Sequence, residues 1–212
     1  MKTIDAKQTK ELLLAVADAV IDAKPMLTEV DSAVGDGDHG IGMETGLKKA
    51  AAKLNATEPS DVYALFQLTG KTMLMSMGGA SGVIFGSMFL AGAKGQEPSD
   101  TLSLPDFAAL FTRSLAEIQK RGQASVGDKT MVDALSPAVD ALNAHSGGEY
   151  AEALAAAEAA AKQGMEDTKK YEAKFGRSKT QSTTIGFQDA GATSVWVIFR
   201  AMRDYFEKPA NG

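Results

Sequence analysis

The run Val195-Trp196-Val197-Ile198-Phe199 decides the fold class, read between Gln188-Asp-Ala-Gly-Ala-Thr-Ser194 before it and Arg200-Ala-Met-Arg203 after it. Five successive β-branched and aromatic residues have the composition of a buried strand. The surroundings argue otherwise. Polar helix starters precede the run, a basic segment with helical spacing follows it, and residues 189–207 form a stretch of helical length. Read as buried helix, the run removes the one plausible strand, and the chain becomes all-α.

Working back towards the N-terminus, seven more helices are expected. The first covers about residues 5–24, with Leu13, Val16, Ala17, Val20 and Ile21 on one stripe and Pro25 just beyond its end. The second runs from about His39 to Leu54, the third over 61–77 up to the Gly78-Gly79 pair, and the fourth over 80–93. Ser103-Leu-Pro-Asp106 is a capping box with proline early in the helix, and it opens a fifth helix to about Lys120. A sixth spans 130–144 with a kink expected at Pro137, and an Ala-rich seventh spans 149–170. The fold class predicted is an eight-helix antiparallel up-down barrel, one domain over residues 1–212.

Glycine clusters recur at alternate junctions of this scheme: 35–42, 78–82, 122–127 and 186–191. They precede helices two, four, six and eight. In an up-down bundle alternate loops share one end, so the clusters gather there, provided the helix count is right. Glycine permits close approach of backbone amides, and helix N-termini favour anions. The pattern predicts a phosphate-binding end.

The richest chemistry lies in Asp31-Ser-Ala-Val-Gly-Asp36-Gly-Asp38-His39-Gly40. Three carboxylates this close oppose one another's ionisation unless cations intervene. Capping of the second helix by Asp38 explains one aspartate and leaves two. An EF-hand does not fit, because Gly40 and Leu47 fall where oxygen ligands are required. Magnesium shared with phosphates fits best, and phosphoryl transfer follows. His39 is either a phosphorylated nucleophile or a polar contact; with no base beside it in sequence, the contact is favoured. In Gly127-Asp-Lys-Thr130 the ordinary role is capping by Asp128 or Thr130. Met131, beside it, is placed to pack on a base. Gly70-Lys71-Thr72 lacks the P-loop frame, which leaves Lys71 on a helix surface. His145 sits in a solvated turn.

Bulk composition narrows the class further. The 212 residues include no cysteine, which excludes thiol catalysis and sulfur-ligated zinc and suits a reducing cytoplasm. A formal charge of -5 leaves no basic footprint for nucleic acid. No window approaches the roughly 18 apolar residues of a membrane span, and no secretory leader is visible.

Together, Gly35-Asp-Gly-Asp-His-Gly40, Gly78-Gly-Ala-Ser-Gly82, Arg121-Gly122, Gly127-Asp-Lys-Thr-Met131, Gly176-Arg177 and Gln188-Asp-Ala-Gly-Ala-Thr-Ser194 occur in the order and spacing of one family. The chain resembles the nucleotide-binding L subunit of bacterial dihydroxyacetone kinase over nearly its whole length. The resemblance implies that Asp31, Asp36 and Asp38 hold two Mg2+ ions bridged by the diphosphate of ADP or ATP. It implies nucleotide contacts from His39, Gly40, Ile41, Ala80, Ser81, Gly122, Met131, Arg177, Asp189, Ala190 and Gly191, with Gly42 in the same row. The reaction implied is phosphoryl transfer to a small ketose held by a separate K subunit. In the phosphotransferase-dependent form, the retained ADP is recharged by an M subunit. A second copy of this chain is a further candidate partner.

Three features depart from the family pattern. Gly42 replaces a frequent Asn, Phe187 and Ala190 replace a usual His and Pro, and the loop 178–184 is shorter. They keep two alternatives open: an ATP-dependent kinase subunit for another triose or tetrose, and a nucleotide-sensing regulatory module.

Overall fold

The computed structural model describes residues 1–180 and 183–207. Among these, nine α-helices and one short ribbon of two strands make up the fold: β1 (Thr3–Asp5), α1 (Ala6–Asp22), α2 (Lys24–Ser32), α3 (His39–Asn55), α4 (Val62–Met77), α5 (Gly79–Leu90), β2 (Thr101–Ser103), α6 (Leu104–Gly122), α7 (Val132–Ala144), α8 (Tyr150–Asp167) and α9 (Ala190–Glu207). The Val195–Phe199 run lies inside α9 and is almost fully buried, so the all-α reading holds. Helices α3 to α9 each pack on the next, and α1 closes the ring between α9 and α3.

Two expectations need correction. Pro25 does not end the first helical passage. Ala23 keeps a right-handed helical conformation, its N–H donates to the Ala19 carbonyl at 3.1 Å, and its own carbonyl accepts from Leu27 N–H at 2.9 Å. Proline is tolerated in a first helical turn, so the chain breaks stride at residue 23 and continues as α2. The extra helix prolongs the first passage, so the alternation of the later helices is unaffected. The second correction is the antiparallel β1–β2 ribbon, with Ile4 opposite Leu102. Three-residue strands carry too little alternation to be read from sequence.

The predicted starts are otherwise found. Asp5 and Gln8 form a reciprocal capping box at α1, and the Ser103 hydroxyl accepts from Asp106 N–H at α6, whose first turn contains Pro105. Helix α7 contains Pro137 within its span. Proline there releases the Asp133 carbonyl from its helical partner, and α8 comes so close that a Cβ on Gly164 would lie 2.1 Å from that oxygen.

Alternating helices give the barrel two unlike ends. Starts of α4, α6 and α8 meet the ribbon at one end, where Phe66, Phe107, Phe111 and Tyr150 pack edge-on or tilted with centroids 5.0–6.4 Å apart. Starts of α3, α5, α7 and α9 meet at the other, where the site lies.

Candidate functional site

Asp31 stands in the last turn of α2, and Asp36 and Asp38 in the turn that leads into α3. That turn folds back on itself: Gly35 N–H donates to the Asp31 carbonyl at 2.6 Å, and Gly37 adopts φ +75°. A Cβ on Gly35 would sit 2.4 Å from Asp31 Oδ1, so the close approach of the first carboxylate to the turn requires glycine. One oxygen from each of the three aspartates lies within 4.8 Å of the others.

Asp38 occupies the N-cap position of α3, yet its side chain makes no capping bond. Asp31 takes that role, its Oδ2 accepting from His39 N–H at 3.1 Å. Burial and the neighbouring Asp36 carboxylate push Asp38 above the usual carboxylate range. The ordinary capping account of Asp38 fails on this geometry. Three hard oxygen donors crowded to mutual repulsion are the donor set a magnesium ion prefers.

The triad forms one wall of a cavity of about 620 Å³. Its other walls come from the starts of four helices: His39, Ile41 and Gly42 of α3, Gly78 to Ser81 around the start of α5, Lys129 to Met131 before α7, and Asp189 to Gly191 at α9. The starts of the four alternate helices therefore converge as predicted, but glycine clusters reach the lining at three of them (Gly42, Gly78 and Gly79, Gly191), and the 122–127 cluster does not. Positive ends of four helix dipoles face the same space as three carboxylates.

His39 is buried against Phe85, with ring centroids 5.6 Å apart, and its Nε2 lies 2.7 Å from the Ser194 hydroxyl. Burial lowers its pKa, so the imidazole is neutral near pH 7 and fixed in place. Asp189 accepts from Ala192 N–H at 2.7 Å as the start of α9. Burial nonetheless pushes its carboxyl up to about 7, with the Asp133 charge adding to the shift. Lys129 has φ +59° and is 2% exposed, and burial lowers its pKa.

Of the anticipated residues, Asp31, Asp36, Asp38, His39, Ile41, Gly42, Ala80, Ser81, Met131, Arg177, Asp189, Ala190 and Gly191 line this cavity. Gly40 and Gly122 do not. Gly40 serves helix packing, since a Cβ there would meet Thr28 Oγ1 at 2.4 Å and the Lys24 carbonyl at 2.6 Å. Gly122 ends α6 next to Ile84, which itself lines the cavity. Arg177 reaches the triad directly, pairing its guanidinium with Asp36. Asp128 does not cap α7. It accepts from Ser125 N–H and pairs with Lys174, while the Thr130 hydroxyl accepts from Val132 N–H at 3.2 Å. Sequence reasoning missed Lys129, Ile84, Phe85 and Phe175. Ile84 was findable one turn after Ser81 on α5; the left-handed, buried Lys129 had no signal. The shortened loop 178–184 includes Gln181 and Ser182, which lie outside the described residues.

Residues 33–204 match the DAK2 domain. The chain belongs to the DAK2 domain family. It is 36% identical over 179 residues to the ADP-binding subunit DhaL of the PEP-dependent dihydroxyacetone kinase of Escherichia coli K12, a match covering 83% of this chain and 85% of that subunit. The D-erythrulose kinase of Mycolicibacterium smegmatis is 32% identical over 198 residues, 90% of this chain and 34% of that protein. The crystal structure of the dihydroxyacetone kinase of C. freundii with AMP-PNP and Mg2+ superposes with a TM-score of 0.73 at 27% identity, over 96% of this chain and 34% of that one. The chain thus spans about a third of the two longer kinases and most of the DhaL subunit. Its DAK2 relatives are phosphotransferases or their subunits, and among the described residues no helix is long and apolar enough to cross a membrane.

Proposed function

We propose that this chain is the nucleotide-holding subunit of a cytoplasmic kinase for dihydroxyacetone or a similar small ketose. It would act as one domain, with the sugar held by a separate K-type subunit and the retained ADP recharged by an M-type phosphotransferase subunit. The observation that carries this reading is the meeting of the Asp31–Asp36–Asp38 triad and four helix N-termini across one cavity. Nothing but a ligand that is both metal-bound and anionic makes use of both walls.

Asp31, Asp36 and Asp38 would hold two Mg2+ ions, which when bound offset the charge of the phosphates and of the group in transfer. The protein's own contribution is placement. The starts of α3, α5, α7 and α9 direct backbone N–H groups at the phosphate oxygens, where negative charge develops. Arg177, whose guanidinium pairs with Asp36, would donate to the same oxygens. Ile41, Ile84 and Met131 give an apolar surface for a base, and His39 and Asp189 fix the starts of α3 and α9. No side chain acts as nucleophile: His39 is buried and its Nε2 is held by the Ser194 hydroxyl.

The test is reconstitution. The purified chain mixed with a K-type subunit, dihydroxyacetone and either ATP or a phosphorylated M-type protein is expected to yield phosphorylated sugar. Failure with both donors and with erythrulose as acceptor, despite nucleotide binding, would favour a sensing module. The match to a D-erythrulose kinase and the open space at Gly42, where a Cβ would meet only Met77 Cε at 4.0 Å, keep the tetrose in the assay.

A further inference from the structure

Arg177 sits on the segment between α8 and α9, in a short 3-10 turn (Arg177–Thr180) that is largely exposed. Nothing in that turn fixes its guanidinium over the triad. The fixation comes from elsewhere. Three residues earlier, Lys174 donates its N–H to the Asp128 carbonyl at 3.2 Å and its Nζ to Asp128 Oδ1 at 2.6 Å. Asp128 is itself tethered, Oδ2 accepting from Ser125 N–H at 2.8 Å, and its side chain is only 11% exposed against 65% for Lys174. The next residue, Lys129, donates from Nζ to the carbonyls of Thr168 and Phe187, at the two stems of the segment. Within the segment, Ala173 N–H donates to the Thr184 hydroxyl at 2.8 Å, and Gly186 N–H donates to the Lys169 carbonyl at 2.8 Å.

Residues 128–131 therefore have two tasks in sequence. Asp128 and Lys129 hold the Arg177 segment, and Thr130 and Met131 line the cavity. The ion pair anchors the segment three residues before Arg177, whose guanidinium meets Asp36.

We infer that Asp128 and Lys174 are positioning residues that set Arg177 against the phosphate end of a bound nucleoside diphosphate and so govern how fast it leaves. This rests on the nucleotide-site reading above. The pair contributes little to global stability, since Lys174 is mostly in solvent. Its effect on the ligand passes through Arg177.

The experiment is the rate of ADP release, in magnesium, from the unchanged chain and from Lys174→Ala, Lys174→Arg, Arg177→Ala and the Lys174→Ala/Arg177→Ala double variant. Lys174→Ala is expected to speed release roughly three- to tenfold, the scale of one charge-assisted hydrogen bond, with an unchanged melting temperature. Lys174→Arg keeps the ion pair and restores the slow rate. In the Arg177→Ala background, Lys174→Ala adds nothing, because residues acting as one unit are not additive. Unchanged release in Lys174→Ala, multiplying effects in the double variant, or no rescue by Lys174→Arg would each overturn the inference. Absence of magnesium-dependent ADP binding in the unchanged chain would overturn the nucleotide-site reading as well, so the two failures are distinguishable.

Discussion

The two ends of this barrel are built on opposite principles. The end formed by the ribbon and the starts of α4, α6 and α8 is sealed. Ile4 and Leu102 are fully buried between the strands and the core, Phe66 and Phe107 pack beneath them, and the Tyr150 hydroxyl donates to the Leu102 carbonyl at 3.0 Å. Tyr150 also stacks on Phe206 at 4.9 Å, with the rings 14° from parallel. The other end has glycines where that end has aromatics, and carboxylates where it has hydrocarbon. Stability belongs to the first and ligand chemistry to the second. Mutations should separate the two accordingly.

The largest effect on folding is expected from Phe107→Ala at the sealed end. Phe107 is fully buried and contacts Phe66, Phe111 and Tyr150, so its loss should cost about 3–5 kcal/mol in denaturant unfolding while leaving ADP affinity of the folded chain unchanged. A parallel loss of affinity would show that the ends are coupled.

Asp189 is expected to blur the division, because it is a half-buried carboxyl at the open end. Its folded pKa of about 7 lies above the ordinary aspartate value of about 4, so the folded chain keeps a proton that the unfolded chain sheds. Stability should therefore fall as pH rises from about 4 to about 7. Replacing it by Asn should flatten that slope, with a difference between the two chains of about 1–3 kcal/mol across the window. Identical slopes would remove Asp189 as the titrating group. Smallest of the three is Tyr150→Phe, which removes one buried hydrogen bond and should cost about 1 kcal/mol with no change in ligand binding.

The open end was the more legible of the two. Glycine and aspartate clusters are local signals, and alternation of helices turns four local signals into one location. Hence the triad, the start of α3 at His39 and the all-α reading of residues 195–199 were available from sequence. The sealed end depends on pairings across the chain, Ile4 with Leu102 and Tyr150 with Leu102, for which three-residue strands leave no periodicity. Pro25 misled because proline is compatible both with a helix end and with a first turn, and only the conformation of Ala23 distinguishes them. Capping by Asp31 in place of Asp38 reaches over eight residues, and the His39–Ser194 bond over 155, separations on which spacing is silent. Gly40 and Gly122, expected at the ligand, lie outside the cavity lining; a Cβ on Gly40 would collide with α2, whereas one on Gly122 would make only ordinary contact with Ile84.

The account turns on hard cations held by the early carboxylates and shared with phosphate. Its most direct test is ADP affinity with and without magnesium, by calorimetry, in the unchanged chain and in Asp36→Ala. Asp36 is peripheral to the hydrophobic core, so helicity and melting temperature should be unaltered. The unchanged chain should bind ADP far more tightly with magnesium than without it, and the variant should lose at least about tenfold of that affinity, some 1.4 kcal/mol. Full affinity in the variant, in the presence of magnesium, would contradict the account.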